Sequence, residues 1–147
     1  MNYIIIHLLS NIANIHQAEK AVIMKWNEYE GWNLEWSGGE YEHFDAKGYT
    51  PKGFKCVIEM KFRKQYYYDK LLEKYKFDKL MQINDDIIKI YWINDPKGNY
   101  MFWLNKLDIP PIKDMWCPST SFWNTKKVLK PCYLIPENDA SIINPNH

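Results

Sequence analysis

The sequence predicts a mixed α/β fold in which helices pack on a central sheet. Helical patterns at residues 11–28 and 66–82 flank three short segments with strand character, at residues 32–36, 41–46 and 56–63. The third segment alternates apolar and polar side chains, as a half-buried strand does. With a further strand after the second helix, the expected order is α-β-β-β-α-β, a central mixed sheet flanked by helices.

Length and composition indicate one globular domain. The chain has 147 residues, of which 46% are hydrophobic and 16% aromatic, and this excludes a disordered chain. We expect a single domain over residues 1–147, with a core at about 11–104 and a Pro-rich C-terminal extension at about 106–147. The apolar residues 1–9 are too few to span a bilayer and lack the basic start of a signal peptide, so we expect no membrane partner.

The cysteines indicate a reducing compartment. They are scattered and odd in number, which fits neither a disulfide framework nor a zinc site. A cytoplasmic protein is therefore expected. The cysteines are Cys56, Cys117 and Cys132.

The first helix carries a carboxylate within an apolar stripe. Glu19 lies in the middle of a row of apolar residues at helical spacing, Ile12, Ile15, Val22, Ile23 and Trp26. A carboxylate pressed against a core needs a cation, a hydrogen-bond network or a water-filled cleft. The alternative is that Glu19 lies at the margin of the stripe and pairs with Lys20 or Lys25 in solvent.

The second strand brings another acid near the third. Residues 41–46 are rich in aromatic residues and precede a loop with glycine and proline. If this strand pairs antiparallel with residues 56–63 and Phe44 faces the core with Ile58 and Met60, then Asp45 shares a face with the acid of the third strand. The alternative is that Asp45 begins a turn by bonding its own backbone neighbours.

The third strand places an acid and a base on one face. Glu59 and Lys61 are two residues apart, so their side chains point the same way, opposite to the apolar row Cys56, Ile58, Met60 and Phe62. A carboxylate and an ammonium so spaced can hold a divalent cation beside a polarised water, as phosphodiester hydrolysis requires. The alternative is a charge pair on a solvated strand face.

The second helix, at residues 66–82, is expected to pack across the sheet and to place a positively charged side chain in the cleft of the expected active site. Lys76 is the candidate, for contact with a phosphate or with Glu59; the alternative is a solvated helix with ordinary pairs such as Glu73 with Lys76 or Lys74 with Asp78. The expected buried residues are Leu71, Leu72, Tyr75, Leu80 and Met81.

The C-terminal part of the sequence is predicted to form a hairpin followed by loops. Residues 87–93 and 100–104 are joined by a clear turn signal at residues 95–99. Prolines punctuate the extension, so we expect loops, short extended pieces and a loose end after residue 137. We expect the aromatic residues of this part to be packed: Trp116, Phe122, Trp123 and Tyr133.

This order of elements and acids resembles the PD-(D/E)xK nuclease superfamily, which has a restriction-endonuclease-like core. The resemblance covers residues 11–104: a helix with Glu, a strand, a strand with Asp, a strand with Glu-x-Lys, a helix and a strand. Phe44 stands where many members have the Pro before Asp45. The run at residues 72–80 resembles the helix that follows the motif in small phage-encoded members, which would imply action in a host cytoplasm.

The resemblance implies a role for each residue that it matches. Asp45 and Glu59 would be metal-binding carboxylates, with the Met60 carbonyl completing the site for one or two Mg²⁺ ions, or Mn²⁺. Lys61 would orient the attacking water or stabilise the charged transition state, and Glu19 would be an accessory acid. Cleavage would leave a 5′-phosphate and a 3′-hydroxyl.

DNA is the partner that this function implies. A net charge of +1 does not by itself indicate nucleic-acid binding. A few cations that line a cleft are nevertheless enough to bind a phosphate backbone along it. Lys76, Arg63 and Lys64 are the expected contacts, and the tyrosines at residues 66–68 would stack on bases if exposed. Junction-cleaving members of the superfamily act as two-fold dimers, so a homodimer is also an expectation.

Two alternatives belong to other functional classes. In one, the nuclease fold has lost activity and serves as a nucleic-acid- or protein-binding module, for example a phage anti-defence factor, and Lys61 or Asp45 is dispensable. In the other, the chain is a structural protein whose Glu59 and Lys61 form an exposed surface pair without metal affinity.

Overall fold

The structure, a computed structural model, describes residues 12–38, 43–119 and 126–145. Its central sheet has six strands in the order β1-β2-β3-β5-β6-β9. Only β3 and β5 are parallel neighbours; the remaining pairs are antiparallel. The strands are β1 (Asn33–Trp36), β2 (Ala46–Tyr49), β3 (Lys55–Phe62), β5 (Ile88–Asp95), β6 (Gly98–Trp103) and β9 (Ile142–Pro145).

Helix α1 (Ile12–Tyr29) covers one face of this sheet. Its apolar stripe, here Ala18, Val22 and Ile23, packs against side chains of β3 and β5 such as Ile58 and Trp92. The expected helix at residues 11–28 is therefore present, and its apolar periodicity is that of a buried face. The first nine residues, for which we expected no membrane span, lie outside the described residues. No described helix is long and apolar enough to cross a membrane.

A second, three-stranded sheet and a short helix cover the other face. The sheet has the order β4-β8-β7, formed by β4 (Asp69–Glu73), β7 (Lys113–Pro118) and β8 (Lys127–Pro136), and the helix is α2 (Lys74–Met81). Apolar side chains from β4, α2 and β8 pack here on those of β3, β5 and β6. The inner strands β3, β5 and β6 are thus buried on both faces, whereas the edge strand β9 is exposed.

The second helix is shorter than expected. We expected it at residues 66–82, but residues 69–73 form strand β4, which pairs antiparallel with β8. Leu72 and Leu80 are buried as expected, whereas Tyr75 is 64% exposed. The helical pattern fails here because this segment pairs with a distant strand, in which side chains alternate: Leu72 is buried and Leu71 is only half-buried.

The C-terminal extension forms more regular structure than expected. In place of loops it contains β7 and the ten-residue β8, and beyond residue 137 the strand β9 pairs with β6. Tyr133 is buried, but Trp116 is 66% exposed, so the expectation of packing is wrong for Trp116. The expectations for Phe122 and Trp123 lie outside the described residues.

Strand β2 begins later than expected. We expected a strand at residues 41–46, but β2 begins at Ala46 and continues through Gly48, which we had placed in a loop. Gly48 has φ +152°, and a Cβ there would lie 2.0 Å from the Asn33 carbonyl oxygen. Glycine therefore lets β1 approach β2 closely at this point.

Candidate active site

Strand β3 places Glu59 and Lys61 on the face toward α2 and the second sheet. Their neighbour Val57 belongs to that face, whereas Ile58 and Met60 pack under α1. Glu59 is only 7% exposed, on an inner strand of the sheet where Lys76 of α2 contacts it. An exposed surface pair, as a purely structural role would have it, is therefore wrong for Glu59.

Asp45 lies directly before β2, beside Glu59. Its N–H donates to the Ile58 carbonyl at 2.9 Å, and its Oδ2 accepts the Met60 N–H at 2.8 Å. Both bonds cross to β3, so Asp45 does not merely cap its own turn. We expected Phe44 to face the core with Ile58, and this is wrong. Ala46 takes that position, fully buried opposite Ile58. Phe44 packs instead on the face of the sheet that carries Val57.

Glu19 approaches the same region from α1. It is 4% exposed, and its Oε1 accepts a hydrogen bond from Trp36 Nε1 at 3.0 Å. Burial and the nearby charge of Asp45 raise the pKa of Glu19 to about 7. Within the described residues Glu19 makes no ion pair. The alternative, in which Glu19 pairs with Lys20 or Lys25 in solvent, is therefore not observed.

The three carboxylates oppose one another's ionisation. Burial and the charge of Asp45 raise the pKa of Glu59 to about 7. Burial also raises the pKa of Asp45, although the Met60 N–H and the charge of Lys76 oppose the rise. Charge from Glu59 adds to the shift at Glu19. Acids that converge in this way favour a bound cation, because each carboxylate would then ionise at lower cost.

Lys76 and Lys61 supply positive charge to this cluster. Lys76, from α2, places Nζ 3.1 Å from Glu59 Oε1, which is one of the two contacts expected for it. Burial disfavours its charge, but Glu59, Tyr91 and Glu73 together outweigh burial and raise the pKa of Lys76. Burial and the charges of Arg63 and Lys76 lower the pKa of Lys61 to about 8. Lys61 is therefore largely protonated at neutral pH but loses its proton more readily than an exposed lysine.

The oxygens available here suit a hard divalent cation. The Ile58 carbonyl of β3 accepts the Asp45 N–H, and the Met60 N–H donates to the Asp45 carboxylate. Because the N–H and the carbonyl of one residue in an antiparallel strand point to the same neighbour, the Met60 carbonyl is expected on the Asp45 side as well. In the described part of the chain, no three His, Cys, Asp or Glu side chains are close enough to hold a metal by themselves. Mg²⁺ commonly takes only one or two carboxylates and completes its shell with water and phosphate, so Asp45, Glu59 and the Met60 carbonyl fit it.

A large cleft opens from Glu59, Lys61 and Lys76 toward the second sheet. Its volume is about 1030 Å³, and Arg63 and Lys64 line it as well. Lys64 is exposed, while the Arg63 guanidinium donates to the Leu71 carbonyl at 3.3 Å and is partly held by β4. Five of the expected site residues thus line one cleft, whereas Glu19 and Asp45 approach Glu59 from outside its lining.

Sequence reasoning missed Trp36 and His16. Trp36 ends β1, donates to Glu19 and contacts the His16 ring at 5.3 Å between ring centroids. The charge of His16 opposes the rise that burial imposes on the pKa of Asp45. The spacing of His16 and Glu19, three residues apart on one helix, is a signal that could have found the histidine. No comparable signal exists for Trp36, because its partner lies on another element.

The overall fold of the chain has a match among solved structures. No family model matches the chain, and no curated protein matches it in sequence. Among solved structures it is similar to Hjc, a Holliday junction resolvase from the archaeal hyperthermophile Archaeoglobus fulgidus, with a TM-score of 0.54 and 12% identity. The match covers 85% of this chain and 92% of that one. At this identity the likeness establishes the fold, a mixed α/β sheet flanked by helices, as the sequence predicted.

Proposed function

We propose that the protein is a metal-dependent nuclease that hydrolyses phosphodiester bonds in DNA. The observation that carries the proposal is the convergence of two buried carboxylates, Glu19 and Glu59, with the half-buried Asp45, beside Lys61. Burial and mutual repulsion hold the pKa of Glu19 and that of Glu59 at about 7. A fold seldom retains buried acids that oppose one another unless a cation or a reaction uses them.

Asp45, Glu59 and the Met60 carbonyl would hold the cation, Mg²⁺ or Mn²⁺. When bound, the cation supplies a water of lowered pKa and neutralises charge on the phosphoryl oxygens. Asp45 is already fixed for this role, because the Met60 N–H holds one of its oxygens at 2.8 Å. Its other oxygen can turn toward a ligand without breaking that bond.

The remaining residues act on the water and on the phosphate. Lys61, next to Glu59 on the same face of β3, orients the attacking water or stabilises the charge of the transition state. Lys76 pairs with Glu59 at 3.1 Å, and it can turn to the scissile phosphate when Glu59 binds a cation. Glu19 is an accessory acid that Trp36 holds in place at 3.0 Å.

Branched DNA is the substrate form that the comparison favours. The structural neighbour is a Holliday junction resolvase, and a four-way junction has two-fold symmetry. We therefore propose that this chain also acts as a two-fold homodimer, since such an enzyme can cut both halves of a symmetric substrate. Light scattering of the purified protein tests the dimer independently of cleavage.

The function is tested by cleavage of labelled DNA in several forms. Supercoiled, linear, flapped and four-way-junction DNA are incubated with the protein in Mg²⁺, Mn²⁺ or EDTA. Glu59→Gln removes a proposed ligand and should abolish cutting, whereas Glu35→Gln, at an exposed acid of β1, should not. Metal-dependent cutting with this pattern supports the proposal. If nothing is cut but DNA or a protein is bound tightly, the protein is a binding module of nuclease fold.

A further inference from the structure

The second sheet turns the catalytic face into one wall of a cleft. The opposite wall consists of β4, β7 and β8, and the space between has a volume of about 1030 Å³. Glu59, Lys61 and Lys76 line one end, and Trp116 lines the side formed by β7. Whatever fills the cleft therefore contacts both the catalytic residues and the β7–β8 hairpin.

Exposed aromatic rings line this cleft on an anchored backbone. Tyr67, Tyr68 and Trp116 are 60%, 46% and 66% exposed, although large aromatic side chains usually lie buried. The carbonyl of Tyr67 accepts a hydrogen bond from the buried Lys70, and that of Tyr68 accepts the Glu137 N–H at 3.1 Å. The main chain is thus fixed while the rings stay open to a ligand.

The same cleft concentrates positive charge. Seven basic and four acidic described residues line it, an excess of three positive charges in a chain whose net charge is only +1. Lys70, Lys76 and Lys130 are paired with acids. Among the described residues, Lys61, Lys64 and Lys127 have no acidic partner within ion-pair distance. Free cations of this kind attract a polyanion.

Free cations beside exposed rings are the features that bind single-stranded nucleic acid. The cations follow the backbone, and the rings stack on base faces, which in a duplex are covered by neighbouring base pairs. We propose that the cleft binds a single-stranded stretch of DNA, with Trp116 and Tyr67 as stacking platforms and Lys127 and Lys64 as phosphate contacts. Single-strand binding by the cleft does not require the proposed nuclease activity. Its catalytic consequence does rest on that proposed function: the enzyme would cut DNA next to an unpaired strand.

Binding is measured in EDTA, where no cleavage can occur. Fluorescence anisotropy of a labelled oligothymidylate should show Trp116→Ala and Tyr67→Ala each weakening affinity about fivefold to a hundredfold. Trp116→Phe should restore most of the loss, because it retains a ring. Tyr29→Ala is the matched control: this ring is 73% exposed at the end of α1, away from the cleft, and its removal should change nothing.

Salt dependence tests the cations separately. Lys127→Ala and Lys64→Ala should each reduce the slope of log affinity against log salt by about 0.7, the contribution of one phosphate contact on a single strand. Lys52→Ala, in the exposed β2–β3 loop, is the control and should leave the slope unchanged. Equal slopes for all four proteins would overturn the assignment of the phosphate contacts.

The two proposals fail in different ways. If Trp116→Ala and Tyr67→Ala bind oligothymidylate as tightly as the unaltered protein, the single-strand site is wrong, even when DNA is cut. If both variants lose affinity but no DNA is cut in any metal, the single-strand site is supported and the proposed nuclease activity is wrong. If both hold, Mg²⁺-dependent cleavage of a splayed duplex should exceed that of a blunt duplex, and Trp116→Ala should remove the difference.

Discussion

Glu19 is the residue whose burial has the clearest consequence for stability. Its pKa is raised from 4.5 to about 7, so the folded protein holds a proton that the unfolded chain releases. Its contribution to stability is therefore complete below pH 4.5 and is lost as the pH rises through 7. Without metal, we expect this loss to be about 3 kcal/mol or less.

Glu19→Gln should remove that dependence. The amide retains an acceptor for Trp36 Nε1 but cannot ionise, so the variant should be more stable than the unaltered protein at pH 8 in EDTA and similar to it at pH 4.5. Urea unfolding across this pH range measures the difference. Glu35→Gln should follow the unaltered curve, and a Glu19→Gln curve that also follows it would contradict the assigned burial.

Lys76 should matter for catalysis more than its helix neighbour Lys74. Both lysines are ion-paired, Lys76 with Glu59 and Lys74 with Asp78 on the partly exposed side of α2. Lys76→Ala should lower the cleavage rate about a hundredfold, the loss expected for one charge aimed at a phosphate. Lys74→Ala should leave the rate unchanged. Equal rates for both variants in single-turnover assays would rule out a catalytic role for Lys76.

For the individual residues, much of the candidate site could be predicted from the sequence. Strand alternation pairs Glu59 with Lys61, and the helical stripe marks Glu19 as a buried acid, because both patterns are local. Asp45 was identified correctly as a neighbour of Glu59, although the strand assigned to it was misplaced. Trp36 could not be found, since its hydrogen bond to Glu19 joins two elements whose packing no local pattern determines.

Strand β4 is the element that local reasoning could not identify. Its residues, Asp69–Glu73, pair with Pro136–Cys132 of β8, which lie far away in the sequence. They were assigned to a helix because the apolar residues of 66–82 were taken as one helical pattern, of which only the part from Lys74 on forms α2. A strand that depends on so distant a partner is determined by tertiary pairing, which a window of neighbouring residues does not contain.

A buried ion pair helps to attach β4 to the central sheet, together with the hydrogen bond from the Tyr91 hydroxyl to the Leu71 carbonyl at 2.7 Å. Lys70 Nζ lies 3.0 Å from Asp95 Oδ2, and the two side chains are only 3% and 2% exposed. Lys70 also lies 4.0 Å from the centroid of the Tyr100 ring. Removal of the cation would take the ion-pair partner from Asp95 Oδ2 inside the protein, although Oδ1 would still accept the N–H groups of Lys97 and Gly98.

Lys70→Met should therefore destabilise the fold by about 3–5 kcal/mol. Urea unfolding at neutral pH measures the change. Lys74→Met, which breaks a partly exposed pair, should cost at most about 0.5 kcal/mol. Adding Asp95→Asn should recover part of the loss at Lys70. Equal losses for Lys70→Met and Lys74→Met would show that the buried pair does not hold β4 in place.

In the molecule as a whole, the two coverings of the central sheet have different roles. Helix α1 closes one face with apolar contacts and contributes Glu19, while α2 and the second sheet cover the other face and leave the cleft open. The α/β order was predictable because it rests on periodicity. The second sheet was not, and it provides most of the surface on which substrate selection would depend.

Cation binding should stabilise the whole fold. At ten times the dissociation constant of the ion, Mg²⁺ should add about 1.4 kcal/mol and raise the melting temperature by about 3–5 °C. Differential scanning fluorimetry with NaCl at matched ionic strength is the control for screening. Asp45→Asn and Glu59→Gln should each remove the shift. A shift that survives in both variants would place the cation elsewhere.

The most direct test of the account is single-turnover cleavage of a labelled four-way junction by the unaltered protein and by Lys61→Ala, with protein in excess and with Mg²⁺ or EDTA. We expect cleavage only with Mg²⁺, slowed about a hundredfold or more in Lys61→Ala even at saturating protein, so that weaker DNA binding by the variant does not account for the loss. Cleavage at equal rates by both proteins would place the active site elsewhere. No cleavage by the unaltered protein, on this or the other DNA forms, would contradict the nuclease itself.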